Sequence, residues 1–312
     1  MSGVAQSGQP LPATEGADPA FDAFDTWPVS TQLGALWQSQ LAAAAIVSSA
    51  LPALSVAAEA ALPCLRNGGR LIYAGAGSSG RLAAQDGAEL EPTYNWPPER
   101  LLLLIAGGPG ALLNAVENAE DDEVAARAAV REAAIGPDDV LVGVAASGRT
   151  PYTVAAVEAA RSAGALTIGI ANVPETPLLL GAACPVFVGT GAEPIAGSTR
   201  MKAGTAQKIV LNLLSTTLMT GLGRVYRAQM VDMRSRNAKL RRRAVRMVMG
   251  LAACPEATAR IALEQTDGHV KPAVLIARGT DRDEALAALS RNSDNLRNAI
   301  NELGLASSRR DT

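Results

Sequence analysis

The segment Leu71–Arg81 reads LIYAGAGSSGR, in which a short apolar run leads directly into a turn of glycine and serine. A second segment, Val140–Thr150, has the same arrangement and reads VLVGVAASGRT. A run that is apolar throughout predicts a strand buried on both faces. Both segments therefore predict a strand that passes through a tight turn into a helix.

The same alternation continues on both sides of these segments. The apolar runs that predict strands are Leu71–Ala74, Leu101–Ala106, Val140–Ala145, Leu166–Ala171 and Pro185–Val188. The segments that predict helices are Gly80–Leu90, Gly110–Ala134 with a break, and Pro151–Ala163. Strands that alternate with helices indicate a parallel sheet covered on both faces. The sequence predicts an α/β fold with a doubly wound, five-stranded parallel sheet of the flavodoxin type.

The remaining chain reads as helical. Thr26–Ala58 carries no charged residue and is rich in Ala and Ser, and Pro52 lies inside it. This composition favours helices that pack against the fold or a second subunit over a membrane span, which needs about 20 strongly apolar residues. We expect a flexible arm (1–25), a sheet domain with flanking helices (26–248) and a small helical domain (249–312). The basic run Lys239–Arg246 is interpreted as a solvated helix face, with recognition of an acidic ligand or partner as the alternative.

Composition excludes several classes of function. The chain has 312 residues, of which 48% are hydrophobic, and its formal net charge is -2. This balance argues against binding to nucleic acid or to an anionic membrane. Cys64, Cys184 and Cys254 are far apart, which argues against a zinc site or a disulfide framework and favours reduced thiols in the cytoplasm. The only histidine, His269, excludes a multi-histidine metal site, and we interpret it as structural.

The two Gly-Ser turns are candidate anion sites. A strand-to-helix turn collects unpaired backbone N–H groups at the positive end of a helix dipole, and serine and threonine hydroxyls add donors. If the first and third strands are neighbours, both turns open into one crevice. The candidate binding residues are Gly77, Ser78, Ser79, Gly80 and Arg81 in the first turn, and Ser147, Gly148, Arg149 and Thr150 in the second.

The type of anion follows from the residues around these turns. The first turn matches GxGxxG, but a dinucleotide site also needs an acidic residue at the end of the second strand. That strand leads instead into Gly107-Gly108-Pro109. Hydroxyls in both turns favour a sugar monophosphate, with a dinucleotide or ordinary tight turns as the alternatives.

A third polar loop precedes the long helical stretch Ala203–Leu222. It contains Ser198, Thr199 and Lys202 and is a candidate to complete the sugar site, in this subunit or in a partner. Helix capping is the alternative interpretation. Glu193, just before this loop, is a weaker candidate for binding sugar hydroxyls.

Five segments together resemble one family. In order they are YAGAGSSGRLAAQDGAELEPTY from Tyr73, IAGG from Ile105, AVENAEDD from Ala115, AASGRTPY from Ala145 and GSTRMKAGTAQKIVLNLLST from Gly197. They resemble the N-acetylmuramic acid 6-phosphate etherases, which are single sugar-isomerase-type (SIS) domains, and are similar to the glucokinase regulatory protein. The resemblance is strong over Leu71–Lys239. In the N-terminal region only Thr14-Glu15-Gly16 and the helical layout carry it.

The resemblance implies a carbon–oxygen lyase. The family cleaves the D-lactyl ether of N-acetylmuramic acid 6-phosphate to N-acetylglucosamine 6-phosphate and D-lactate during cell-wall amino sugar recycling. It implies a cytoplasmic enzyme, a homodimer, a small-molecule sugar phosphate as the ligand, and neither metal nor cofactor. It also implies Glu89 as the catalytic acid and Glu120 as the second catalytic carboxylate.

The chemistry explains why two carboxyl groups are needed. In the open-chain sugar, the proton on C2 is acidic because C2 adjoins an aldehyde, so a base can remove it while lactate leaves from C3. An acid must protonate the departing oxygen, and burial would raise the pKa of that acid. Glu91 is the rival of Glu89, and it stands where the family usually has proline. Glu117, Asp121 and Asp122 are the rivals of Glu120.

Two other functions remain open on the sequence. A non-catalytic regulator that senses sugar phosphates is favoured if Glu89 or Glu120 faces away from the phosphate turns. A sugar-phosphate isomerase would share the phosphate site and the chemistry at C2, and it would act on substrates that lack the lactyl group.

Overall fold

The computed structural model describes residues 13–114, 116–233 and 238–305. The chain packs into two compact units. The first contains the described residues up to Gly87 together with Glu99–Ser215, and the second contains Ala88–Pro98 and the described residues from Thr216 onward. The predicted domain boundary at residue 248 lies inside the second unit. Of the predicted flexible arm, residues 1–12 lie outside the described residues.

The core of the first unit is a five-stranded parallel sheet, as predicted. Its strands are β1 (Leu71–Gly75), β2 (Leu101–Ile105), β3 (Val140–Val144), β4 (Leu166–Ala171) and β5 (Cys184–Phe187). They lie in the order β2-β1-β3-β4-β5, so β1 and β3 are neighbours. Two further short strands, β6 (Val225–Tyr226) and β7 (Gln229–Met230), pair with each other in the second unit.

Thirteen α-helices are found among the described residues. They are α1 (Val29–Ile46), α2 (Leu51–Arg66), α3 (Gly77–Ala88), α4 (Leu90–Tyr94), α5 (Glu123–Glu132), α6 (Pro151–Ser162), α7 (Pro177–Gly181), α8 (Lys202–Gly221), α9 (Ala238–Ala252), α10 (Glu256–Gln265), α11 (Val270–Ala277), α12 (Arg282–Arg291) and α13 (Leu296–Glu302).

The strands of the sheet follow from their apolar runs. Every residue of β1 and β3 is buried, as expected for central strands covered by helices on both faces. β1 pairs in register with β3 from Leu71 opposite Val140 to Gly75 opposite Val144. The two Gly-Ser turns therefore leave the sheet at the same edge, which is the arrangement that one shared crevice requires.

Two predicted helices differ from the structure. The helix predicted from Gly80 begins at Gly77, so the Ser-Ser-Gly sequence forms its first turn, and it ends at Ala88. The prediction for Gly110–Ala134 was too long, because only Glu123–Glu132 is α-helical. Asn118 adopts a left-handed conformation with φ of 59°, and the side chain of Asp122 caps α5 by accepting from Ala125 N. Both features interrupt a longer helix.

The uncharged stretch forms α1, a short 3-10 turn and α2. By length and composition, Val29–Arg66 is apolar enough to cross a membrane, but core helices of soluble proteins pass the same test. α2 packs on the sheet, mainly against β5 and β4, and buries Leu54, Ala57, Ala58, Ala61 and Leu65. α2 is therefore a core helix of the first unit.

The second unit has its own apolar core. Residues of α9, α10, α11, α12 and α13 form one cluster of buried side chains, which includes Val248, Val274 and Ile300. The basic run on α9 lies on a solvated helix face, as predicted: Arg241, Arg242, Arg243 and Arg246 are exposed. The apolar residues among and after them that are buried are Ala244, Val245, Met247 and Val248.

Candidate active site

A cavity of about 340 Å³ lies at the edge of the sheet where β1 and β3 end. Its described lining comes wholly from the first unit. The two Gly-Ser turns contribute Gly77, Ser78, Ser79, Ser147, Arg149 and Thr150, and other segments contribute Glu15, Glu120, Asp121 and Thr199. The structure therefore brings together both predicted phosphate turns, one predicted catalytic carboxylate and part of the third polar loop.

The first turn presents the N-terminus of α3 to this cavity. Gly77 has a φ of +52°, and the N–H of Gly80 donates to Ala76 O at 2.9 Å. Gly80 allows the helix to approach β1 closely, because a Cβ on it would lie 2.8 Å from the carbonyl carbon and oxygen of Gly75. The N–H groups of the first helical turn point toward the cavity end of α3, where an anion is stabilised.

The second turn presents the N-terminus of α6. The hydroxyl of Ser147 accepts a hydrogen bond from the Arg149 N–H at 3.2 Å, which fixes the turn and leaves the hydroxyl proton for another acceptor. Thr150 precedes the helix, and its side chain makes no capping hydrogen bond. Two helix N-termini and several hydroxyls therefore line one cavity, which is an arrangement suited to a phosphate group.

The acidic segment after β2 supplies carboxylates to the same cavity. Glu120 and Asp121 belong to a short 3-10 turn and line the cavity. Asp121 is thus a rival of Glu120 within the same cavity. The other two rivals lie elsewhere: Glu117 and Asp122 line a neighbouring cavity of about 670 Å³, and Asp122 is engaged in capping α5. Glu120 and its rival Asp121 therefore both lie beside the phosphate turns.

The other predicted catalytic carboxylate, Glu89, lies in the second unit. It is the residue before α4, and its side chain is exposed. The burial that was expected for the catalytic acid is therefore not present in the single chain. Its rival Glu91 lies in the first turn of α4 and is partly buried.

Three predicted binding residues use their side chains for contacts within the protein. Arg81 donates to the carbonyl oxygens of Ala111 at 3.0 Å and Asn114 at 3.4 Å, so its guanidinium holds the loop after β2. Glu193 is fully buried, and its carboxylate accepts the N–H groups of Lys202 at 2.8 Å and Ala203 at 2.9 Å. Lys202 Nζ donates to Ala192 O at 2.8 Å.

These contacts give the three residues positioning roles in the structure. Glu193 caps α8, which is the helix-capping alternative weighed for this region, and it has no side-chain surface for a sugar. The polar loop before α8 contributes Thr199 to the cavity, while Ser198 belongs to the turn through its N–H, which donates to Ile195 O.

A buried polar network anchors the far end of α3. Asp86 accepts hydrogen bonds from Tyr73 Oη at 2.7 Å, Asn212 Nδ2 at 2.6 Å and Ser215 Oγ at 3.2 Å. Burial, together with the nearby carboxylate of Asp86, raises the pKa of Tyr73 well above its ordinary value. The network joins α3, β1 and α8, and it therefore fixes the helix whose N-terminus lines the cavity.

Glu15 is a cavity residue that the sequence reasoning missed as a site residue. It belongs to a short 3-10 turn ahead of α1, far from the other lining residues in sequence. The only sequence signal was the resemblance of Thr14-Glu15-Gly16 to the family. Within the described ranges, no group of three or more His, Cys, Asp or Glu side chains is arranged to hold a metal ion.

Two family models match parts of this chain. Residues 53–161 match the glucokinase regulatory protein N-terminal SIS domain, and residues 123–217 match the SIS domain. A phosphoheptose isomerase from Francisella tularensis is similar in structure, with a TM-score of 0.47 and 21% identity over 62% of this chain and 100% of that chain.

Two relatives are much more similar in sequence. The N-acetylmuramic acid 6-phosphate etherase of Deinococcus radiodurans is 48% identical over 93% of this chain and 95% of that protein. The protein of the same name from Cutibacterium acnes is 42% identical over 94% of this chain and 96% of that protein. With this identity over nearly the whole length, the chain belongs to the N-acetylmuramic acid 6-phosphate etherase family of carbon–oxygen lyases.

Proposed function

We propose that this chain cleaves the D-lactyl ether of N-acetylmuramic acid 6-phosphate and releases N-acetylglucosamine 6-phosphate and D-lactate. The observation that carries the proposal is the cavity that is lined both by the N-termini of α3 and α6 and by Glu120. An anion-binding end and a carboxylate in one cavity suit a phosphorylated substrate that must lose a proton. The reaction belongs to the recycling of cell-wall amino sugars, and we place it in the bacterial cytoplasm.

The phosphate is held at the two helix N-termini. Ser79 and Ser147 donate hydroxyl hydrogen bonds to it, and Ser78 and Thr150 add further donors. Because hydrogen bonds to a charged group are about twice as strong as neutral ones, this end of the cavity fixes the sugar by its C6 phosphate. The open-chain sugar then extends toward Glu120.

The reaction is an elimination followed by addition of water. Glu120 removes the proton from C2, whose acidity comes from the adjacent aldehyde, and the C3–O bond to lactate breaks. Glu89 protonates the departing oxygen. Water then adds at C3 of the conjugated aldehyde: the Glu89 carboxylate takes a proton from the water, and Glu120 returns a proton to C2. Both groups regain their starting protonation states, and the net reaction is hydrolysis of the ether.

Both carboxylates are exposed in the single chain. A carboxyl group that works as an acid near neutral pH needs a less polar environment. We propose that a second protomer and the bound sugar supply this environment in a homodimer. The role of the dimer would then be to exclude water from the acid as well as to bury apolar surface.

The deciding experiment is an assay of the purified chain with N-acetylmuramic acid 6-phosphate. We expect release of D-lactate, with label from H₂¹⁸O on C3 of the product sugar and deuterium from D₂O on C2. Oxygen label in lactate would indicate displacement at the lactyl carbon and would exclude the elimination. A sugar-phosphate isomerase would convert sugar phosphates without a lactyl group, and a non-catalytic sensor would release no lactate.

The assignment of the two carboxylates is tested by isosteric variants. Glu89→Gln cannot donate the proton, so lactate release should fall by about 10²- to 10⁴-fold while exchange at C2 persists. Glu120→Gln should abolish both lactate release and exchange at C2. Glu91→Gln and Glu117→Gln are the matched controls. If either control loses activity while its neighbour keeps it, the roles belong to the rival residue.

A further inference from the structure

The cavity has a contributor that the reaction described above does not use. Glu15 lines it together with Ser147 and Glu120, although it lies ahead of α1 in the chain. The first long helix begins only at Val29, so Glu15 belongs neither to the sheet nor to a long helix. Its presence in the cavity depends on the path of the N-terminal segment.

Two observations show how this segment is fixed. Thr14, immediately before Glu15, is fully buried, so the chain is anchored next to the carboxylate. On the other side, Glu15 Oε2 lies close to Gly197, because a Cβ on Gly197 would lie only 3.0 Å from that oxygen. Gly197 has a φ of +73° and stands two residues before Thr199, which also lines the cavity. The carboxylate therefore lies against the polar loop that completes the cavity.

The substrate needs groups of both kinds in this cavity. Phosphate oxygens at near-neutral pH mainly accept hydrogen bonds, and the helix N-termini and hydroxyls supply the donors. The hydroxyls of the sugar can also donate, and a carboxylate is the strongest acceptor among side chains. The described lining supplies carboxylates from Glu15, Glu120 and Asp121. Since Glu120 is assigned to the C2 proton, Glu15 and Asp121 are the carboxylates of the described lining that can accept from the sugar hydroxyls.

We propose that Glu15 is a substrate-binding residue whose carboxylate accepts a hydrogen bond from a sugar hydroxyl. This inference rests on the proposed function, because it takes the ligand of the cavity to be a sugar phosphate. Glu15 also sets the direction of the ligand: its negative charge disfavours a phosphate nearby, so the phosphate stays at the ends of α3 and α6. One residue thus contributes both binding and orientation.

The experiment measures binding without catalysis. The full-length chain, Glu15→Ala and Glu15→Gln are titrated calorimetrically with N-acetylglucosamine 6-phosphate, which has no lactyl group to lose, and separately with inorganic phosphate. Asp22→Asn is the matched control, since Asp22 is an exposed carboxylate of the same segment and is not part of the described cavity lining. The unfolding midpoint of each variant checks that it is folded.

We expect Glu15→Ala to raise the Kd for the sugar phosphate about tenfold or more, because a hydrogen bond to a charged group is lost. Glu15→Gln should give a smaller increase, since its amide oxygen still accepts. Inorganic phosphate should bind both variants as well as, or more tightly than, the unchanged chain. The KM for N-acetylmuramic acid 6-phosphate should rise in parallel, and Asp22→Asn should leave all values unchanged.

Three results would overturn the inference. The first is an unchanged Kd for the sugar phosphate. The second is an equal loss of affinity for inorganic phosphate, which would mean that Glu15 only shapes the loop. The third is a loss of kcat and of C2 exchange without any loss of affinity, which would make Glu15 the base. Failure of this inference can be distinguished from failure of the proposed function. If the unchanged chain releases no D-lactate but Glu15→Ala still weakens binding of the sugar phosphate alone, the activity is wrong and the role of Glu15 stands.

Discussion

Ser147 lies where β3 ends and α6 begins, and its hydroxyl has one clear structural bond, from the Arg149 N–H. The remaining hydroxyl proton is available to a phosphate oxygen. Ser147→Ala should therefore raise the KM for the phosphorylated sugar by roughly tenfold or more, since a bond to a charged group contributes about 1.5–3 kcal/mol.

Steady-state kinetics of Ser147→Ala check this expectation against a matched variant. Ser162→Ala removes a hydroxyl at the opposite end of the same helix, where it donates to Glu158 O, and should leave KM unchanged. A normal KM in Ser147→Ala would show that this turn does not hold the phosphate.

At the level of residues, the sequence allowed prediction of site residues that belong to a local motif, but not of those brought to the site by tertiary packing. Ser147 and Glu120 could be chosen because a Gly-Ser turn after a strand and an acidic family motif carry their own signals. Arg81 also looked like a phosphate ligand, but its side chain binds the carbonyl oxygens of Ala111 and Asn114. No spacing in the sequence links Glu15 to Ser147, because their proximity comes from tertiary packing alone.

At the scale of elements, an ion pair joins the N-terminal ends of the two central strands, β1 and β3. Arg70, before β1, contacts Asp139, before β3, at 2.6 Å, and Asp139 also accepts the N–H groups of Arg70 and Gly136 at 3.0 Å. Burial alone would raise the pKa of Asp139, but these hydrogen bonds and the charge of Arg70 outweigh burial and lower it.

Asp139→Asn should lower the free energy of unfolding by about 2 kcal/mol at pH 7, because the Arg70 guanidinium loses a charged partner in a half-buried site. A lowered pKa in the folded state stabilises the protein above the unfolded pKa of about 4 and stops doing so as pH falls through the folded value. The difference between variant and unchanged chain should therefore shrink at pH 3. Urea unfolding at both pH values measures it.

The neighbouring variant Asp138→Asn provides the control, because Asp138 is exposed and should change stability little. A difference that is the same at pH 7 and pH 3 would contradict the role of the ionised pair. Such a result would assign the effect of Asp139→Asn to packing.

The limits of an element were predictable where a continuous apolar run was clear, as in β4, whose predicted and observed limits are both Leu166–Ala171. The limits were less predictable where a capping side chain determines the residue at which a helix begins. α5 begins at Glu123 because Asp122 caps it, and the composition of Gly110–Ala134 hides that cap among other helix-forming residues. The packing of Ala88–Pro98 with the C-terminal residues in the second unit was not predicted from the sequence, because it depends on contacts between distant segments.

For the whole molecule, the most informative surface is one face of α1. This helix buries only Ser39 and Ala43, and it exposes large apolar side chains at every fourth position: Val29, Leu33, Trp37 and Leu41. Leu33 is 62% exposed and Trp37 is 61% exposed. Residues four apart lie on one side of a helix, so these side chains form a continuous apolar stripe. A continuous exposed apolar stripe of this kind indicates a surface that another protein covers.

We expect this stripe to be covered by a second copy of the chain, so that light scattering at micromolar concentration gives the mass of a dimer. Leu33→Glu with Trp37→Glu places charges in the interface and should shift the mass to that of a monomer, because a buried unpaired charge opposes association. The matched variant Gln38→Glu changes the same helix and should stay dimeric. In the unchanged dimer, Trp37 should be shielded from acrylamide quenching. A monomeric mass for the unchanged chain, or a dimer that survives both charges, would exclude this face as the interface.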